Sequence, residues 1–206
     1  MENTSLPQLA PGQQRQLQAY AALLRQWTKK INLIAPSTLA GLEQRHVADS
    51  AQLAPHLPQE SSHIVDVGTG AGLPGLVLAI LAPQHTYTLV ERDQRKAAFL
   101  RTAIHQLGLG NVTLHAADVA TLATAPSFRK ADVITCRAWA SMAEILAITH
   151  PLLASSGYWL LLKGQALDAE LSTCETPFHL TTERWPSIVS GRDGERGWVV
   201  KLTPFP

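Results

Sequence analysis

The densest chemistry in this chain is the run Asp66-Val67-Gly68-Thr69-Gly70-Ala71-Gly72-Leu73-Pro74-Gly75. Glycine reaches positive φ without steric penalty and lets a ligand approach the backbone, so such a cluster is costly unless something lies against it. Where the turn opens a helix, its free amides favour an anionic group by about 0.3–1 kcal/mol. That group is the methionyl carboxylate if the ligand is S-adenosylmethionine, and pyrophosphate if it is a dinucleotide. Glu91 follows 23 positions after Gly68, at the end of the next expected strand. A carboxylate there accepts hydrogen bonds from both hydroxyls of a ribose, at about 1.5–3 kcal/mol each. Gly70-x-Gly72-x-x-Gly75 also matches dinucleotide spacing literally. In that register Pro74 falls where a helix must pack, and the first glycine comes late after the strand. The register that begins at Gly68 suits a methyltransferase better, and nicotinamide is the second choice of cofactor.

The chain's remaining chemistry narrows the methyl acceptor. Enzymes that methylate exocyclic amino groups typically carry an Asn/Asp-Pro-Pro-aromatic turn after the fourth strand. Here that position reads Thr135-Cys136-Arg137-Ala138-Trp139, without such a turn. Carbon-5 methylation of a pyrimidine needs an attacking thiolate. Cys136 has no preceding proline and no evident base, so it is expected as a small core residue. Guanine N7 differs, because its lone pair lies in the ring plane and carries no proton. Alignment alone then supplies up to about 7–11 kcal/mol, and no general base is required.

These groups need a scaffold. Leu17, Tyr20, Leu24, Trp27 and Ile31 recur at steps of three and four, the stripe of an amphipathic helix, with Pro36 at or beyond its end. A second helix is expected over Leu39 to His56. From His63 onward strands alternate with helices: strands at His63–Val67, Thr86–Glu91, Val112–His115, Ala131–Cys136 and Gly157–Leu162, helices near Leu73–Leu81, Asp93–Leu107 and Ser141–Leu153. The end of the chain, Thr176 to Thr203, is strand-like and lacks long helices. The pattern predicts an α/β, Rossmann-like fold with a mainly parallel sheet and an antiparallel C-terminal hairpin. A helical N-terminal extension, residues 1–60, precedes the cofactor-binding domain, residues 61–206, and the two are expected to form one unit.

Composition sets limits on partners. A net charge of +1 is too small for a non-specific nucleic-acid binder, so any RNA contact must rest on a local patch. The two cysteines stand far apart, which argues against a disulfide framework or thiolate zinc site, and the eight histidines show no ligand spacing. No metal is expected. The N-terminus lacks a signal-peptide pattern and no apolar run is long enough to span a bilayer, so a cytoplasmic protein is expected.

Further motifs join the glycine turn. They are Trp27 with Ile31-Asn32-Leu33-Ile34, Arg45-His46-x-x-Asp49-Ser50, Arg137-Ala138, Leu162-Lys163-Gly164, and Asp193-Gly194-Glu195-Arg196. Across nearly its whole length the chain resembles the bacterial 16S rRNA guanine-N7 methyltransferases, the glucose-inhibited division protein B family. The resemblance implies transfer of a methyl group from S-adenosylmethionine to one guanine in the decoding region of the small ribosomal subunit. It implies cofactor contacts at Gly68, Gly70, Leu73, Val119, Ala120 and Arg137, with Glu91 on the ribose and Arg137 also catalytic. At the end of the third strand the family has a basic or polar residue and a glutamate, whereas this chain reads Asp118-Val119-Ala120. A backbone contact to adenine survives that change, and a glutamate side-chain role does not.

Arg45, His46, Lys163 and Arg196 are the expected RNA-facing residues, with Arg192 and the helix residues Arg25, Lys29 and Lys30 as possible extensions of the surface. His46 is open between a substrate contact and a structural histidine. Asp49 is expected to cap a helix or pair locally with Arg45; the tryptophans are expected mostly in the core, with Trp139, next to Arg137, the one to test for stacking on a base. Two other functions stay open at this point: a methyltransferase with another RNA, protein or small-molecule acceptor, and a non-catalytic RNA-binding assembly factor.

Overall fold

The computed structural model describes residues 9–190 and 196–205. Helix α1, Pro11–Thr28, begins with proline at its first turn, where the missing N–H is no loss, and buries Leu17, Tyr20 and Leu24 on one face. It ends well before Pro36, which starts the next element instead.

The single helix expected over Leu39 to His56 is a correction. The chain there is a broken stack: a 3₁₀ turn at Pro36–Gly41, a π-helical turn at Glu43–Ala48, a short α2 at Asp49–Ala51 and a 3₁₀ turn at Ala54–His56. Two physical reasons stand out. Pro55 offers no N–H to continue a helix. The carbonyl of Arg45 also accepts a bond from the Arg137 side chain at 3.4 Å, which draws it out of regular helical pairing.

The sheet follows as β1 (His63–Val67), α3 (Gly75–Leu81), β2 (Thr86–Val90), α4 (Gln94–Leu107), β3 (Val112–His115), α5 (Val119–Ala123), β4 (Ala131–Arg137), α6 (Met142–Thr149), β5 (Leu153–Lys163), α7 (Leu167–Ser172), β6 (His179–Ser190) and β7 (Arg196–Phe205). The strand order is β3-β2-β1-β4-β5-β7-β6. The first five strands in that order run parallel, and β7 pairs antiparallel with both β5 and β6. This is the Rossmann-like sheet with an antiparallel C-terminal hairpin that the alternation of elements predicts. Helix boundaries are set by local chemistry. Asp93 caps α4 by accepting from the amides of Arg95 and Lys96, and Gly108 closes it in the left-handed conformation. Ser141 and Glu144 form a capping box at α6. Helices α5 and α7 were not expected; both are short and carry little periodic signal.

Alternate residues of each strand feed two cores on opposite sheet faces. Ile64, Val133 and Leu160 join Leu76, Leu100 and the buried residues of α1 in one core. Val65, Ile134 and Leu161 join Ile145, Leu146 and Trp159 in the other. The N-terminal extension therefore covers one face of the sheet. Strand order reverses between β1 and β4, and a crevice for ligands opens beyond the carboxyl ends of strands at such a point. No helix among the described residues is long and apolar enough to cross a membrane.

Candidate active site

The turn after β1 is a rigid object. Gly68, Gly70 and Gly72 all have positive φ, between 58° and 84°. At Gly68 a β-carbon would overlap the indole of Trp139, so only glycine serves both the backbone angle and the close approach. Asp66 lies fully buried beneath the turn. Its Oδ2 accepts from the Thr69 hydroxyl and, at 2.8 Å, from the Gly75 amide, which pins the start of α3. Burial pushes its carboxyl up to about 7, against the lowering effect of those two bonds and of Arg137. Glu91 supports the turn from β2: its two oxygens accept from the amides of Gly70, at 2.9 Å, and Asp93, at 2.8 Å.

Two adjoining cavities open here. The larger, about 910 Å³, is lined by Gly68, Gly70, Leu73, Arg45, His46, Arg137 and Lys163 among others. The smaller, about 250 Å³, is lined by Glu91, Asp118, Val119 and Trp139. Gly68, Lys96 and Ala138 belong to both. Residues from the N-terminal extension, the glycine turn and the ends of β4 and β5 thus meet around one space, although they lie far apart in sequence. Ala138 takes an uncommon φ of 49° as the chain leaves β4, and that turn carries Trp139 onto Gly68.

Arg137 ends β4 and reaches into the extension. Its Nη1 donates to Asp49 Oδ2 at 3.2 Å and to the Arg45 carbonyl at 3.4 Å, and its Nη2 bonds His46 Nδ1 at 3.0 Å. The expected local pairing of Asp49 with Arg45 is corrected by this arrangement, because the turn of Glu43–Ala48 directs the carboxylate across to β4. Burial, followed by the charges of Arg137 and Arg45, lowers the His46 pKa to about 4, so the imidazole is neutral. For Asp49, burial raises the pKa and the Arg137 charge opposes it.

The other expected residues divide. Lys163 lines the larger cavity but its ammonium pairs with Glu170 at 2.5 Å, with the lysine side chain almost buried. The amide of Ala120 donates to the capping carboxylate of Asp118 at 3.0 Å, and Ala120 lines neither cavity. Val119 lies buried at the wall of the smaller one. Cys136 is buried and burial pushes its thiol up to about 12, as suits a core residue. Arg196 starts β7 opposite Ser190. Arg192 and Asp193-Gly194-Glu195 lie outside the described residues. Sequence reading missed Lys96, which carries no motif signal, and Gln52, a buried residue bonded to Asp49. The spacing from Arg45 to Asp49 marked Asp49 without showing its partner.

The donor set fits S-adenosylmethionine. Each oxygen of Glu91 accepts one backbone bond and has a second lone pair for a hydroxyl. Gly70 has open space beside it, since a β-carbon there would meet only the Gly68 carbonyl, at 3.8 Å.

Comparison with known proteins places this geometry. The profile of the family described as rRNA small subunit methyltransferase G matches residues 13–198. The ribosomal RNA small subunit methyltransferase G of Acidiphilium cryptum (strain JF-5) is 42% identical over 83% of this chain and 77% of that protein. The protein of the same name from Gluconobacter oxydans (strain 621H) is 40% identical over 92% of each. Among solved structures, the O-methyltransferase TomG from Streptomyces achromogenes, in complex with SAM, superposes with a TM-score of 0.58, covering 96% of this chain and 92% of that one. At 13% identity, that likeness concerns the fold alone.

Proposed function

The chain belongs to the rRNA small subunit methyltransferase G family, and from that premise we propose that it methylates N7 of one guanine in the decoding region of 16S rRNA. S-adenosylmethionine supplies an electrophilic methyl group on a sulfonium. Gly68, Gly70, Leu73, Glu91 and Val119 would hold it, and the small ribosomal subunit or its precursor would present the guanine. Such a substrate puts the work in the cytoplasm.

One observation carries the choice of N7. Among the described residues, every carboxylate and imidazole lining the larger cavity is already engaged: His46 and Asp49 with Arg137, and Glu170 with Lys163. A site whose candidate bases are all occupied suits an acceptor atom that has no proton to lose, and its rate must come from alignment. Arg137 lines the cavity and has N–H groups beyond its three bonds, a donor set that would suit a carboxylate or a base carbonyl. Arg45 and Lys96 add positive charge at the same cavity and suit phosphate contacts that position the RNA without reading its sequence.

The test is transfer of labelled methyl groups to undermodified small subunits, followed by chemical cleavage at 7-methylguanosine. One cleaved guanine in the decoding region is expected. Label at another atom, or no label in RNA, overturns the reading.

A further inference from the structure

Arg137 is held by the extension rather than by its own strand. We propose that Asp49 and His46 are positioning residues for Arg137, so that the N-terminal extension completes the cofactor and transfer site from a distance. The inference rests on the reading above, in which Arg137 touches cofactor or substrate.

The guanidinium is a planar fork whose donors point in fixed directions. Bonds to Asp49 Oδ2, the Arg45 carbonyl and His46 Nδ1 fix the position and the plane of that fork. The side chains of Arg137 and Asp49 are each only 19% exposed, so water competes weakly for the pair. His46 can serve only as a neutral ring with its proton on Nε2, because Nδ1 must accept from Arg137. The structure supports that tautomer: Nε2 lies 2.8 Å from the Thr38 hydroxyl, which donates in turn to the Ala35 carbonyl at 2.7 Å. The low pKa of His46 agrees with it.

Asp49 is itself fixed. Its Oδ1 accepts from Gln52 Nε2 at 2.8 Å. Gln52 is buried and clasps β6, donating to the Ser187 hydroxyl at 3.0 Å and accepting from the Ile188 amide at 2.9 Å. An unbroken line of hydrogen bonds therefore runs from the C-terminal hairpin through Gln52 and Asp49 to Arg137. Without the carboxylate, Arg137 keeps its charge but loses its single orientation. Misplacement of a site group by about 1 Å is enough to lower rates on the order of 100-fold.

A double-mutant cycle on the full-length protein decides the matter. Calorimetry gives the affinity for S-adenosylmethionine, and single-turnover methylation of undermodified small subunits gives the transfer rate. Asp49→Asn, which keeps shape and removes charge, is expected to weaken whichever quantity Arg137→Ala weakens, by about tenfold or more. In the Arg137→Ala background, Asp49→Asn is expected to change that quantity no further. Equal losses in both backgrounds, or no loss beside the native arginine, overturn the proposal. If Arg137→Ala moves neither quantity, the reading of Arg137 fails first, and that outcome is distinct. Thermal melting checks that each variant folds; if Asp49→Asn does not, the same cycle run with His46→Leu decides on the same criteria.

Discussion

The turn from Asp66 to Gly75 and the broken helical stretch from Pro36 to His56 face the same cavity, yet they are held in opposite ways. The turn is braced from within and from the next strand: Thr69 and Gly75 bond Asp66, and Gly70 bonds Glu91. The stretch is braced from far along the chain. Arg137 takes Asp49, His46 and the Arg45 carbonyl, Gln52 takes Ser187 and Ile188, and the Tyr158 hydroxyl donates to the His56 carbonyl at 2.8 Å. The cofactor half of the site is thus a local motif. The other half is a tertiary construction, and its shape is only as good as the contacts that reach it.

The largest expected effect lies in the turn. Gly68→Ala puts a β-carbon into the Trp139 indole at a backbone angle that L residues disfavour. Left-handed φ costs about 1–2 kcal/mol and the overlap about 1–3 kcal/mol more, so S-adenosylmethionine affinity should fall on the order of 100-fold by calorimetry. Affinity within about threefold of wild type, well inside that sum, would show the turn to be far softer than its bonds imply.

Next comes the stretch. Gln52→Leu fills similar space but strands the Ile188 amide and Asp49 Oδ1, while the Ser187 hydroxyl keeps its bonds to Val189. A loss of about 2–3 kcal/mol in urea unfolding is expected, from buried groups left unpaired. Arg137 function should drop with it, while binding that depends on Glu91 alone should not. Unchanged stability would mean that the hairpin does not brace the extension.

This contrast explains what was legible in the sequence. The glycines, Asp66 and Glu91 are close enough in the chain for spacing to declare their joint purpose. The mainly parallel sheet and its antiparallel hairpin followed from alternation of elements and the absence of long helices near the end. The segment from Leu39 to His56 reads in sequence as one helix because its π and 3₁₀ turns answer to Arg137 and β6, and neither contact has a local signal. Asp49 was legible as part of a motif, but its pairing with Arg137 spans 88 residues and needs the fold. Trp139 stood out in the sequence only by its place next to Arg137; the structure sets its indole against Gly68.

A third prediction concerns pH and again the turn. The Asp66 carboxyl is raised from an ordinary 3.8 to about 7, chiefly by burial. Between these values the folded state holds a proton that the unfolded chain has released. Stability from this group is therefore complete below about pH 4 and is lost as pH rises toward 7. Asp66→Asn retains an oxygen for Thr69 and Gly75 but cannot ionise. Relative to wild type, it should gain about 2 kcal/mol in urea unfolding between pH 5 and pH 8. A difference between the two proteins that stays flat with pH would show that Asp66 is ionised throughout, and that the turn holds a buried charge.

The smallest effect probes a bond that reaches the turn from the N-terminal helix. Tyr20 of α1 is fully buried, and its hydroxyl donates to the carbonyl of Ala71, inside the turn, at 2.7 Å. Tyr20→Phe leaves the ring in place and removes only that donor, so about 1 kcal/mol of stability should go. The informative quantity is cofactor affinity in the same variant. If the turn is braced by Asp66 and Glu91, affinity should stay within about threefold of wild type, because one neutral hydrogen bond adds little to a frame already fixed. A tenfold loss would mean that α1 sets the turn's shape as Asp49 and His46 set Arg137, and that both halves of the site depend on the extension.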